Sequence, residues 1–180
     1  MPSLLISAYF SRLKFTTMRH FQIIILSILI SCFFSCKKNT EVDFIVKSNK
    51  GHFRGLSLGD SPVQVQLAEK DDSLSDKSST MDYQLYVIPM TENKTLTLEY
   101  SFDGEKLDEI KAEIYTCDSV ITNEMTAQFQ KIFNKKYGNG TKEGGVWVWH
   151  DKSIKDKTVE ISLSSIGLKN DKIVICILYS

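Results

Sequence analysis

Cysteine and histidine carry the chemistry of nucleophiles, bases and metal ligands, and in this chain their spacing limits what they can do. Among Cys32, Cys36, Cys117, Cys176, His20, His52 and His150 there is no Cys-x-x-Cys and no His-x-His, so neither a zinc nor a redox site has a local framework. His150 follows an alternating Trp-rich segment and precedes Asp151, which reads as a strand end entering a turn. No Gly-x-Ser-x-Gly elbow is expected in the chain, so an α/β-hydrolase serine has no support. Gly138-Asn139-Gly140 and Gly144-Gly145 follow a helical segment and open a strand. A phosphate loop needs the opposite order, so these glycines read as a helix stop and connection. Asp103, Glu105, Asp108 and Glu109 cluster at a hairpin, where solvent rather than burial surrounds them and no split of acid and base follows. No catalytic residue, metal or cofactor is expected.

The first two cysteines have a different setting. Residues 1–35 hold Arg12, Lys14 and Arg19 and no acidic residue, and Phe21 to Leu29 is apolar except for Gln22 and Ser27. That run is about half of the ~20 residues needed to span a bilayer and fits an export signal. Met18-Arg19-His20 begins a more typical version, so residues 1–17 can lie upstream of the true start. Leu29-Ile30-Ser31-Cys32 and Phe33-Phe34-Ser35-Cys36 both resemble the lipobox of bacterial lipoproteins. The resemblance implies a diacylglycerol on the cysteine thiol, cleavage before it and acylation of the new amino terminus. Cys36 is preferred because Lys37-Lys38-Asn39-Thr40 opens a polar tether directly after it. Three acyl chains exceed what stable anchoring requires. The expected address is the cell envelope of a Gram-negative bacterium, at the outer membrane.

The whole chain has 22 basic and 22 acidic side chains, so no basic surplus suggests nucleic acid. Its length suits one domain. The expected organisation is a signal at 1–35, lipidated Cys36 and a tether or first edge strand to residue 50, and a single domain over 51–180.

Within that domain one offset recurs. Lys94 to Tyr100 lies 63 positions before Lys157 to Leu163, Tyr83 to Tyr86 before Val146 to Trp149, and Ile110 to Ile114 before Ile173 to Ile177. All six segments alternate at the strand period, and a shared offset is the signature of an internal repeat, about 51–117 and 118–180. A helix over Asn123 to Tyr137 carries one apolar stripe, Met125, Phe129, Ile132, Phe133 and Tyr137, with Thr122 as N-cap and Gly138 as stop. Asp60-Ser61-Pro62 begins the matching helix of the first half, although Val63 to Leu67 alternates like a strand. Asp71 to Thr80 reads as a loop. The expected fold is α+β, two tandem α-β-β-β repeats with two helices on one face of a mostly antiparallel six-stranded sheet. This order, with Gly55-Leu56-Ser57-Leu58-Gly59-Asp60 before the first helix, resembles the tandem-repeat fold of β-lactamase inhibitory proteins and the single unit of BamE-like outer-membrane assembly lipoproteins. No functional residue carries over from either.

Parity places Trp147, Trp149, Val174 and Leu178 of the second half, and Tyr86 and Tyr115 of the first, on the sheet face away from the helices. Trp147, Trp149, Tyr86, Tyr115 and Leu178 are therefore the candidate binding residues, since Trp and Tyr dominate binding hot spots. Cys117 and Cys176 fall on the same face, either bridged or as independent thiols. The expected protein is a non-enzymatic envelope lipoprotein that binds a protein or ligand partner. The alternative is an envelope hydrolase or other enzyme with an acid/base site not evident in the sequence.

Overall fold

The computed structural model describes residues 40–180 other than 71–75, 81, 92, 155–156 and 168–170. Cys32, Cys36, the apolar signal and residues 71–75 of the expected loop lie outside the described residues.

Three helices are formed among the described residues. The first, α1 (Glu41–Val46), stands where a tether or edge strand was expected. Thr40 and Asp43 make a reciprocal capping box, which satisfies N-terminal amides that a strand would leave for a neighbour. Val42 and Ile45 are its buried side chains. A second capping box, Ser61 with Gln64, and Pro62 in the first turn start α2 (Pro62–Ala68). Local capping thus outweighs the alternation of Val63 to Leu67. The long helix α3 runs Ser119–Tyr137 and begins earlier than the sequence suggested. Its N-cap is Asp118, whose carboxylate accepts from the Val120 and Ile121 amides. Thr122 is instead buried in the first turns, hydroxyl to hydroxyl with Thr116. Gly138, at φ 87°, closes the helix.

The sheet is antiparallel throughout, in the order β1-β2-β3-β4-β8-β7-β6-β5. Its strands are β1 (Asp76–Ser79), β2 (Tyr83–Pro89), β3 (Thr95–Asp103), β4 (Lys106–Tyr115), β5 (Thr141–Glu143), β6 (Val146–Asp151), β7 (Val159–Ile166) and β8 (Lys172–Tyr179). Two strands exceed expectation, the short outermost β1 and β5. β1 occupies part of the segment read as a loop, because its Asp-Ser composition masks a strand that forms only by pairing with β2. At the centre β4 meets β8, with Ile110 opposite Ile177, Ala112 opposite Ile175 and Ile114 opposite Ile173.

One face of the sheet is apolar and buried. Leu96, Leu98 and Tyr100 of β3, Ile110, Ala112 and Ile114 of β4, Val159, Ile161 and Leu163 of β7, and Ile173, Ile175 and Ile177 of β8 join Met125, Phe129 and Phe133 of α3 in one core. Val42, Ile45 and Val65 bring α1 and α2 into the same core.

Candidate functional site

The register of β2 and β6 decides where the candidate binding residues lie. In an antiparallel pair, residues directly opposite one another project from the same face. Trp149 is opposite Ile161, Trp147 opposite Leu163 and Tyr86 opposite Leu98. All three therefore face the helices, not the open side, which corrects the sequence expectation. Trp149 is 2% exposed. Its indole packs edge-on to Phe133 at 5.3 Å and donates to Asn134 Oδ1 at 2.9 Å. Trp147 is half-buried and stacks on Trp149, with the Lys142 ammonium over its ring. Tyr86 is buried edge-on against Tyr100 and donates to Gln84. These aromatics are core and core margin. In Val146-Trp147-Val148-Trp149 both parities are apolar, so hydrophobicity alone could not assign the face.

Tyr115 and Leu178 do lie on the open face. Its rows can be read across the strands. Leu85, Glu99, Lys111, Cys176, Ser162 and Val148 form one row; Val87, Thr97, Glu113, Val174 and Ser164 form the next. Tyr115 stands beside Lys172, and Leu178 stands between Glu109 and Glu160. These side chains are half-buried. At the centre, Lys111 Nζ lies 3.3 Å from both Glu99 and Glu113, and Lys172 Nζ lies 3.0 Å from Glu113. Tyr115 Oη donates to Glu113 at 2.6 Å. Burial works to raise the Glu113 pKa, but the bonds from Tyr115, Lys172 and Lys111 outweigh it and hold the carboxyl below its ordinary value. Burial likewise opposes the charge of Lys111, and its two carboxylates overcome that and raise its pKa. At the centre of this face the carboxylates of Glu99, Glu109, Glu113 and Glu160 outnumber the ammoniums of Lys111 and Lys172, which leaves a surplus of negative charge there.

Both remaining cysteines are free thiols. Cys176 sits on the open face and donates to Glu109 Oε1 at 3.1 Å. Burial first, and Glu109 next, push its pKa up to about 12, so it is a protonated thiol and a weak nucleophile. Cys117 lies past the end of β4 in the turn before α3, exposed, at φ 54°.

Two polar clusters on the helix side were not expected from the sequence. Arg54 and Glu69 are fully buried partners: Nη2 and Nε of Arg54 donate to the two carboxylate oxygens at 2.7 and 2.9 Å. Arg54 Nη1 also donates to the carbonyls of Phe44 and Ile45, and Tyr100 Oη donates to Glu69 at 2.7 Å. This network ties α1, the loop before α2, the end of α2 and β3 together. The second cluster surrounds His52. Its Nδ1 accepts the Leu58 amide at 2.9 Å, its Nε2 lies 3.9 Å from Asp151, and its carbonyl accepts from Lys136 and Tyr137. The proton of the neutral ring therefore sits on Nε2. Burial lowers the His52 pKa, Asp151 and Asp60 oppose that, and Lys136 reinforces it.

Gly55-Leu56-Ser57-Leu58-Gly59 does have the Gly-x-Ser-x-Gly spacing, contrary to the expectation that no serine carries that signal. A nucleophile elbow joins a strand directly to a helix. Here Ser57 follows an isolated bridge, Phe53 to Leu56, and its amide donates to Asp60 ahead of the Ser61 cap. The nearby His52 has spent its Nδ1 lone pair on Leu58, so it cannot serve as a base for Ser57 through that atom. Among the described residues no three His, Cys, Asp or Glu side chains group as a metal site.

The buried neutral His52 makes stability depend on pH. Its folded pKa is lowered below the ordinary 6.5, so the unfolded chain takes up a proton before the folded one does. Stability is then fully present above about pH 6.5 and falls as pH drops from there toward the folded pKa. Urea unfolding between pH 7.5 and pH 5.5 is expected to show this decline, and His52→Asn, which keeps an acceptor for the Leu58 amide, should flatten it. An equal slope in the variant would assign the effect elsewhere.

In comparisons with known proteins the chain matches no protein family, no curated protein and no solved structure.

Proposed function

We propose that this protein is a non-enzymatic lipoprotein of the cell envelope, anchored through acylated Cys36, that binds a protein partner on the open face of its sheet. The observation that carries the reading is that face. Tyr83, Leu85, Val87, Tyr115, Val174 and Leu178 form an apolar margin around the Glu99–Lys111–Glu113–Lys172 ladder, while the helices pack on the opposite side. A partner with apolar side chains and cationic groups complements it. The anchor reading is supported by the small-residue-Cys end of the apolar run and the abrupt polar shift at Lys37-Lys38.

The tandem-repeat reading is supported by strand register. Shifting both partners by 63 residues turns Tyr86 opposite Leu98 into Trp149 opposite Ile161, whereas β7 and β8 pair two residues out of step with β3 and β4: Leu98 is opposite Ala112, but Ile161 is opposite Ile177 rather than Ile175. The same shift turns Ser78 opposite Leu85 into Thr141 opposite Val148. Exchanging each residue for its counterpart 63 positions away in the other half maps the central pairing of Ala112 with Ile175 onto itself. A two-fold relation between the halves would generate this pattern and would build one continuous open face from two copies of a unit.

The face is tested by a photo-crosslinking side chain at Thr97 or Val174 in cells. Discrete adducts are expected there and not at Glu124, on the exposed side of α3. Leu178→Glu should abolish them while leaving thermal unfolding nearly unchanged. Adducts equal at all three positions, or insensitive to Leu178→Glu, would count against this binding face.

A further inference from the structure

We infer that the outer surface of α1 and α2 rests on the lipid bilayer, an inference that depends on the Cys36 anchor proposed above. Thr40 is the N-cap of α1, so only Lys37, Lys38 and Asn39 intervene between Cys36 and the folded domain. At no more than about 3.6 Å per residue, Thr40 lies within roughly 14 Å of the acylated residue. That reach is about half the ~30 Å breadth of a small domain. The domain therefore stays within one short tether of the headgroups, and the side that carries Thr40 is the side the tether keeps within that reach.

That side has the composition the interface demands. Phe44 of α1 is 45% exposed, and Val63 and Leu67 of α2 are 62% and 60% exposed. Val63 and Leu67 are four residues apart and project together from α2, while Val65 between them is buried in the core. The two helices are fastened to each other: Lys47 donates to the Ala68 carbonyl, and Arg54 joins the Phe44 carbonyl to Glu69. Lys47 follows α1 directly, Lys70 lies two residues past α2, and Lys47, Lys50 and Lys70 are exposed. Large exposed apolar groups with lysines close by in the chain suit the boundary between acyl chains and anionic headgroups. The bilayer is the occupant because the chain's own anchor brings it within reach. Since α1 and α2 share one face of the sheet with α3, such docking turns the open face away from the membrane, toward a partner.

The test uses the full, acylated chain reconstituted in vesicles of phosphatidylethanolamine and phosphatidylglycerol containing nitroxide-labelled lipid. Cys117 and Cys176 are replaced by Ser, and a bimane fluorophore is placed at Val63→Cys or at Thr97→Cys. Several-fold stronger quenching is expected at position 63 than at position 97. Phe44→Glu/Leu67→Glu should reduce the position-63 signal to the position-97 level without changing thermal unfolding or the acyl mass on Cys36. Equal quenching at the two positions with Cys36 acylated overturns the docking and leaves the anchor standing. Mass spectrometry showing no acyl chain on Cys36 overturns the anchor and, with it, the reach argument. A label at position 63 shielded from aqueous iodide but not quenched by nitroxide lipid assigns the surface to a second copy, and also overturns the docking.

Discussion

Trp149→Ala is expected to cost about 3–5 kcal/mol of stability, the range for emptying a core aromatic site. The indole is enclosed by Phe133 and Trp147 and holds Asn134 through its N–H. Asn134 Oδ1 also accepts the Gly140 amide at 3.1 Å, so the truncation loosens the exit of α3 as well as the core. The fit is close on the other side too. A methyl group at Gly140 would stand 2.5 Å from the indole ring, so the loop after α3 can pass only because no side chain is there. Denaturant unfolding of residues 37–180 measures the loss. Thr97→Ser, on the open face, is the contrast and should stay within about 1 kcal/mol of the parent, as surface changes away from special features do. A Trp149→Ala domain as stable as the parent would mean that β6 is paired in the other register, with its indoles outward.

Glu69→Ala should be comparably damaging, at about 3–5 kcal/mol, because it leaves the Arg54 guanidinium buried without its carboxylate. Tyr100 also loses its acceptor, and the charge that faces Lys47 at 3.5 Å disappears. The companion Arg54→Met/Glu69→Leu removes both charges and fills similar volume, so it should recover most of the loss. Both charged groups are fully buried, so neither effect should respond much to salt. Urea unfolding of the two variants at low and high sodium chloride gives the comparison. If Glu69→Ala alone costs less than ~1 kcal/mol, the network does not fasten α1 and α2 to the sheet.

These two sites also mark where sequence reasoning stopped. The strand segments, the stripe of α3 and the Ser61-Pro62 start of α2 were legible because periodicity and capping are local properties. The helix α1 was missed because its few apolar residues sit in a polar stretch that reads as a tether or edge strand, and the N-cap at Asp118 because Thr122 offered a competing cap four residues on. Of the five candidate binding residues, Tyr115 and Leu178 fell on the expected face, because their strands have one apolar and one mixed parity. Trp147, Trp149 and Tyr86 did not. Val146 to Trp149 is apolar on both parities, and Tyr83 to Ile88 is apolar on both except at Gln84. A one-residue ambiguity in such a strand reverses every side chain.

The sequence by itself determined the alternating strands, the long helix, the absence of a basic surplus and a 63-residue spacing between like segments. Each is written within a few residues or in plain composition. The tertiary structure alone decided which parity of β2 and β6 is buried, because hydrogen-bond register with β3 and β7 sets it. It alone brought Arg54 to Glu69, 15 residues apart, and His52 to Asp151 from opposite ends of the domain. Those partners are chosen by burial, where an unpaired charge is too costly to tolerate, and burial exists only once the sheet and helices have closed on each other.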